Sequence, residues 1–342
     1  MVIGLIAVVL QKMGNPPNMG VCVACFCRDI AGALGFHRVA VVQYLRPEII
    51  GFVLGSLAAA LAFREFKPRA GSAPVVRFVL GFFAAVGALV FLGCPWRALL
   101  RLAGGDMNAL AGIAGLVAGI WVGILFIKSG FNLGRNQTTY ASAGLIMPAI
   151  MLGLLILAIV QPQLASGPAL FSSKDPPGSL HAPLFLSLAA GLIIGMLAQR
   201  TRFCTVGAVR DVILVRDFYL LMGVAGLVGG AFAGNLVFGQ FNLGMIGQPI
   251  AHTNTFWNFT GMVLAGLAFT LAGGCPGRQL FMSGEGDGDA AVFVFGLLAG
   301  AAFAHNFGVA ASPKGIGEWT PLFVTIGLAA CIIIGLTMRK KI

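Results

Sequence analysis

The chain is expected to be an all-α, polytopic membrane protein: about nine to ten transmembrane helices in two inverted repeats, with short re-entrant half-helices meeting at the midplane. Three observations predict this. Of its 342 residues 58% are hydrophobic and only 10% charged, whereas a soluble domain covers its surface with roughly 25% charged residues. Apolar runs of membrane-spanning length recur from one end to the other. The stretch GCPWRALLRLAGGD, which begins at Gly93, returns as GCPGRQLFMSGEGD from Gly274.

The apolar runs lie near 1–11, 46–63, 74–93, 109–128, 143–160, 182–199, 218–238, 255–273, 290–308 and 319–338. The first is short. At about 1.5 Å per residue it falls well below a ~30 Å hydrocarbon core, so the expectation is either a partial crossing or a span whose native beginning is missing. It lacks a basic leader and a cleavage site, so no signal peptide is expected. Residues 161–181, rich in Pro, Ser and Gly, divide the runs five and five. The expected organisation is a first repeat over 1–165, a linker over 166–181 and a second repeat over 182–342.

The duplication is specific. At the offset 275 − 94 = 181, residues 93–119 and 274–300 share 12 of 27 positions, among them Cys94/Cys275, Pro95/Pro276, Arg97/Arg278 and Asp106/Asp287. A fainter match pairs Cys22 and Arg28-Asp29 with Cys204 and Arg210-Asp211. Such internal periodicity marks a repeat architecture. Five spans separate the Cys22 and Cys204 segments, and an odd number of crossings inverts the repeats, as in many secondary transporters. Arg64, Lys67, Arg69 and Arg77 share a side with Arg339-Lys340-Lys341, and the positive-inside rule makes that side cytoplasmic. The net charge of +11 forms no clustered stripe. It is therefore topology signal and anion attraction rather than a nucleic-acid footprint.

The chemistry is expected at the cysteines. In Gly-Cys-Pro, the glycine (Gly93, Gly274) breaks the incoming helix and the proline (Pro95, Pro276) starts a new one too short to cross. Cys94 and Cys275 then cap helix N-termini, where backbone N–H groups and the helix dipole favour an anion. Arg97 and Arg278, one turn on, are expected either to gather the anion or to snorkel to headgroups. Asp106 and Asp287 are expected to tether the returning chain, for instance to the nearby arginine, and Arg28-Asp29 and Arg210-Asp211 to be structural ion pairs. Symmetry selects Cys22 and Cys204 as further pathway thiols, because Gly207 stands where Cys25 aligns; Cys25 and Cys27 are extras and Cys331 is packing. Gly115-x-x-x-Gly119 and Gly296-x-x-x-Gly300 are packing seams. The four histidines have no metal spacing, and neither a metal nor a cofactor is expected; His305 is weighed as a proton relay.

NPPNMGVCVACFCRDIAGALGFH, QYLRPEIIGFVLG and FLGCPWRALLRLAGGD resemble the YeeE/YedE family of sulphur-transport membrane proteins, and within it the YedE-type selenium transporters. The resemblance implies a duplicated bundle whose cysteines, here Cys22, Cys94 and Cys275 with Cys204 as pseudo-symmetric partner, hand a small anion through by S–H contacts. The expected function is passage of a selenite- or selenide-type anion across a bacterial inner membrane. Thiosulphate is the alternative cargo, and a cytoplasmic sulphur-carrier protein a possible receiver. A non-enzymatic transporter is expected. The competing readings are a membrane thiol oxidoreductase using Cys22/Cys25 with Cys94, a copper(I) conduit, which arginines beside the cysteines disfavour, and a plain scaffold.

Overall fold

The computed structural model describes residues 1–164 and 167–339. Lys340 and Lys341 of the basic tail, and Ser166 at the start of the linker, lie outside them. The first half contains α1 (Val2–Lys12), α2 (Val23–Ala33), α3 (Pro47–Ala62), α4 (Pro74–Val90), α5 (Pro95–Ala103), α6 (Asn108–Lys128), the single turn α7 (Ala141–Gly144) and α8 (Ile146–Val160). The second contains α9 (Leu184–Thr201), α10 (Thr205–Val215), α11 (Tyr219–Val237), α12 (Thr255–Ala272), α13 (Pro276–Gly284), α14 (Gly288–Asn306) and α15 (Thr320–Thr337). Two small antiparallel pairs complete it, β1 (Arg69–Ala70) with β2 (Gln137–Thr138) and β3 (Gln163–Leu164) with β4 (Gly167–Pro168). The protein is an all-α, polytopic membrane protein.

Seven helical segments among the described residues are long and apolar enough to cross a membrane. They fall short of the nine to ten expected because α1, α3 and α8 have 11, 16 and 15 residues. At about 1.5 Å per residue even α3 spans only about 24 Å.

The six helices α1–α6 recur in order as α9–α14. The short ones match in length, 11 residues for α2 and α10 and 9 for α5 and α13. The halves interleave rather than standing apart: α3 packs on α9, α1 on α11, α4 on α14, and α6 on α12. The glycine pairs make the close approaches. On α6, Gly115 and Gly119 face the carbonyls of Phe259 and Val263; on α14, Gly296 and Gly300 face those of Phe78 and Phe82. These four partners are themselves related by the repeat offset, 259 − 78 = 263 − 82 = 181. Small residues at that spacing let two backbones meet without side chains between them.

The linker is sewn to the first half by backbone bonds, from Phe171 to Ala33, Ser173 to Gln43 and Gly178 to Val41. At the opposite end, Arg69 pairs with Thr138, Phe131 bridges Arg339 and Arg69 bridges Asp287. The basic segment after α3 and the end of α15 therefore lie on one side.

Candidate functional site: two cysteine pairs at four helix N-termini

Each of the four short helices begins at a cysteine. Cys22 caps α2 with an extended backbone (φ −154°, ψ 111°), and its Sγ accepts the N–H of Cys25 at 3.4 Å. Cys204 caps α10 in nearly the same conformation (φ −153°, ψ 119°) and accepts from Gly207 at 3.2 Å. Cys94 and Cys275 cap α5 and α13, each followed by proline at the first helical position, and Cys275 accepts from Arg278 at 3.4 Å. A sulphur cap satisfies one of the donors that every helix start leaves open.

The caps come together in two pairs. The Cys22 thiol points at Cys94 Sγ across 3.7 Å, and Cys204 Sγ accepts the backbone N–H of Cys275 at 3.3 Å. All four are buried and free. Each pair joins two helix N-termini, so the positive ends of two dipoles converge on two sulphurs in a water-poor environment. Such an arrangement can attract a soft anion.

The glycine of Gly-Cys-Pro does not break the helix, contrary to the sequence expectation. The left-handed residues are one position earlier, Leu92 (φ 62°) and Gly273 (φ 90°). Gly93 and Gly274 instead make room for the arginine four residues on: a Cβ at 93 would sit 3.0–3.2 Å from the Arg97 side chain, and one at 274 would sit 3.2–3.3 Å from Arg278.

Those two arginines differ. Arg97 is fully buried and reaches no headgroup, which removes the snorkelling alternative for it. Its Nε donates to the Asn18 carbonyl (3.3 Å) and its Nη2 to the Ile250 carbonyl (3.0 Å), while Nη1 has no partner. No carboxylate among the described residues pairs with it. A buried guanidinium without a counter-charge is costly, and here it stands one turn from Cys94. Arg278 is neutralised instead, with Nη1 3.0 Å from Glu285, which Arg202 also engages at 3.0 Å.

The aspartates tether the motif ends to arginines other than Arg97 and Arg278. Asp106 holds Arg101 (2.7 Å) and caps α6 through Asn108, and Asp287 holds Arg69 (2.7 Å) and caps α14 through Ala290. Arg28 pairs with Asp29, which also takes Arg46, and Arg210 pairs with Asp211. Sequence reasoning missed Arg101, because its repeat counterpart is Met282, and missed Glu285, because its counterpart is Gly104. It also missed that Cys22 and Cys204 are N-caps. Cys25 donates its thiol to the Leu92 carbonyl at 3.7 Å, Cys331 is buried in α15, and the His305 ring lies 4.9 Å from that of His37.

Two cavities border residues next to the cysteine caps. One of about 290 Å³ is lined by Arg28, Leu92, Ile250 and His305. Another, of about 410 Å³, is lined by Phe203, Met1, Leu197 and Leu220.

Residues 200–339 match the family described as sulphur transport. The matched region carries Cys204, α10, Cys275 and α13, the second thiol pair with its two helix N-termini. The geometry of the matched region is repeated in the first half of this chain by Cys22, α2, Cys94 and α5. No curated protein matches the chain.

Proposed function

We propose that this chain, whose residues 200–339 match the sulphur-transport family, conducts a small chalcogen anion through a bacterial inner membrane by way of its two thiol pairs. The pair Cys22/Cys94 lies toward the outer face and Cys204/Cys275 toward the cytoplasm. The pairing of four cysteine-capped helix starts carries this reading. Thiols are weak, polarizable donors that release a soft anion as readily as they take it, and conduction needs several shallow sites rather than one deep well. The unpaired Arg97 supplies the attraction at the first pair. Around the second, Glu285 offsets Arg278 and lowers the net pull, so the anion can leave. The inverted arrangement is supported by the recurring order of α1–α6 in α9–α14 and by the clustering of Arg69 and Arg339 on one side.

The cargo we propose is a selenite- or selenide-type anion, following the resemblance in the first half. Thiosulphate is the alternative cargo, carried by the same mechanism. A cytoplasmic sulphur-carrier protein is the proposed receiver.

Uptake of labelled thiosulphate and labelled selenite into proteoliposomes, for wild type and Cys94→Ala, tests this under controlled reductant. Selenium uptake that resists excess thiosulphate and disappears in the variant supports the selenium cargo. Thiosulphate uptake alone leaves the pathway and removes selenium. Equal conduction by both proteins, or none by either, overturns the pathway.

A further inference from the structure

Trp96 and Gly277 hold equivalent places, two residues after Cys94 and Cys275 and in the first turns of α5 and α13. They face each other. A Cβ on Gly277 would lie 3.3 Å from the indole carbons Cε2 and Cζ2 and 3.4 Å from Nε1. The first repeat thus fills, with its largest side chain, the space that the second leaves empty. Trp96 is wholly buried among Phe203, Phe281 and Phe52, with ring centroids 5.3, 5.9 and 6.0 Å away. Phe203 directly precedes Cys204, so the indole reaches from the helix of the first thiol pair to the residue beside the second.

The indole Nε1–H is buried without an acceptor. Buried tryptophan N–H groups ordinarily find one, and here the group lies beside the N-terminal turn of α13, where Cys275 Sγ already takes the Arg278 N–H and the Gly277 N–H is a donor that the helix itself cannot satisfy. The indole N–H beside it therefore has a neighbouring donor but no acceptor.

We propose that Trp96 is the gate between the two thiol pairs, and that its indole N–H is the donor that receives the anion as it crosses. This rests on the anion-conduction reading above. In the closed position the four aromatic rings form an apolar constriction that bars water and small hydrated ions. Phe203 also borders the cavity of about 410 Å³, which gives its ring space to move aside when the indole turns. One neutral donor adds selectivity without deepening the well as a second buried cation would.

The test uses full-length protein with Trp121, Trp257 and Trp319 replaced by phenylalanine, so that emission reports Trp96 alone. Sodium thiosulphate and sodium selenite serve as probes. The expected results are an emission change on saturation that is lost in Cys94→Ala, and a rise of about tenfold in KM for Trp96→Phe at similar maximal rate, the size expected for one hydrogen bond to an ion. Trp96→Gly, which copies the second repeat, is expected to leak sulphate that the wild type excludes. An unchanged KM in Trp96→Phe together with silent emission, in a protein that still transports, overturns the gate and leaves the thiol pathway standing. Absence of transport in the wild type removes both.

Discussion

The sulphurs of Cys22 and Cys94, 72 residues apart in the chain, lie 3.7 Å from each other. The corresponding pair, Cys204 and Cys275, is joined differently, through the backbone N–H of Cys275. The first pair is therefore thiol to thiol and the second is thiol to helix start. An anion entering the first pair must replace a weak S–H···S contact, whereas at the second it competes with a backbone donor already aimed at sulphur. On the proposed route, entry is the easier exchange.

From this, Cys94→Ala and Cys22→Ala are each expected to lower uptake by roughly 10- to 100-fold, the range for losing a hydrogen bond to a charged group. Cys25→Ser keeps a donor toward the Leu92 carbonyl and is expected to transport within about twofold of wild type. The liposome assay reads all three. Loss of activity in Cys25→Ser would move a dithiol redox mechanism ahead of conduction.

Arg97 gives a prediction in which stability and function move in opposite directions. Removing a buried charge that has no counter-ion relieves a desolvation cost, so Arg97→Met is expected to melt no lower than wild type without anion. Wild type is expected to gain stability on adding anion, by about 2.7 kcal/mol at a hundredfold excess over Kd, and Arg97→Met to gain none. Arg278→Met, whose partner Glu285 keeps Arg202, is expected to retain most of the shift. Thermal unfolding in detergent with and without thiosulphate checks this. A ligand shift in Arg97→Met equal to that of wild type would assign the arginine to packing.

The helices, the repeat and its packing seams were legible in the sequence because each rests on a local or periodic signal. Apolar length marks the spans, and Gly115/Gly119 with Gly296/Gly300 mark the contacts between halves. Cysteine at the start of α5 and α13 was legible from the proline after it. The start of α2 and α10 was not, since no proline follows Cys22 or Cys204. Which cysteines meet was also hidden, because the Cys22–Cys94 approach is set by how α2 and α5 converge in three dimensions. Symmetry misled where the copies diverge. It passed over Arg101 and Glu285, and it gave Gly93 the turn that Leu92 makes.

The glycine seams carry a stability prediction. A side chain on Gly115 or Gly296 would run into the carbonyl of Phe259 or Phe78, which is backbone and cannot turn away. Gly115→Leu and Gly296→Leu are expected to lose about 1–3 kcal/mol or more through overpacking. Gly153 has nothing within 4 Å of an added Cβ, and Gly153→Ala is expected to be neutral or slightly stabilising. Melting temperatures of the three variants in the same detergent decide it; equal losses at all three positions would point to helix propensity rather than interhelical contact.

Two histidines outside the spanning helices predict an acid limit to stability. His37 places Nε2 3.0 Å from the Arg28 carbonyl and takes the Val39 N–H on Nδ1 at 3.4 Å. His252 does the same with the Val90 carbonyl at 2.8 Å and the Asn254 N–H at 3.3 Å. A ring that donates at Nε2 and accepts at Nδ1 is neutral. Burial pushes both below their ordinary value of 6.5, with Arg28 and Arg101 as the nearby cations that add to it. In the unfolded chain these rings take up a proton near 6.5, so below that pH the unfolded state holds more protons than the folded one. Their contribution is therefore complete above 6.5 and is lost as pH falls through the lower folded values. Melting temperature followed from pH 7.5 to pH 5 is expected to fall in wild type and to fall less steeply in His252→Gln, whose amide can still donate to Val90 but takes up no proton. Parallel curves for the two proteins would exclude His252 as a source of the acid sensitivity and leave His37 to be tested in the same way.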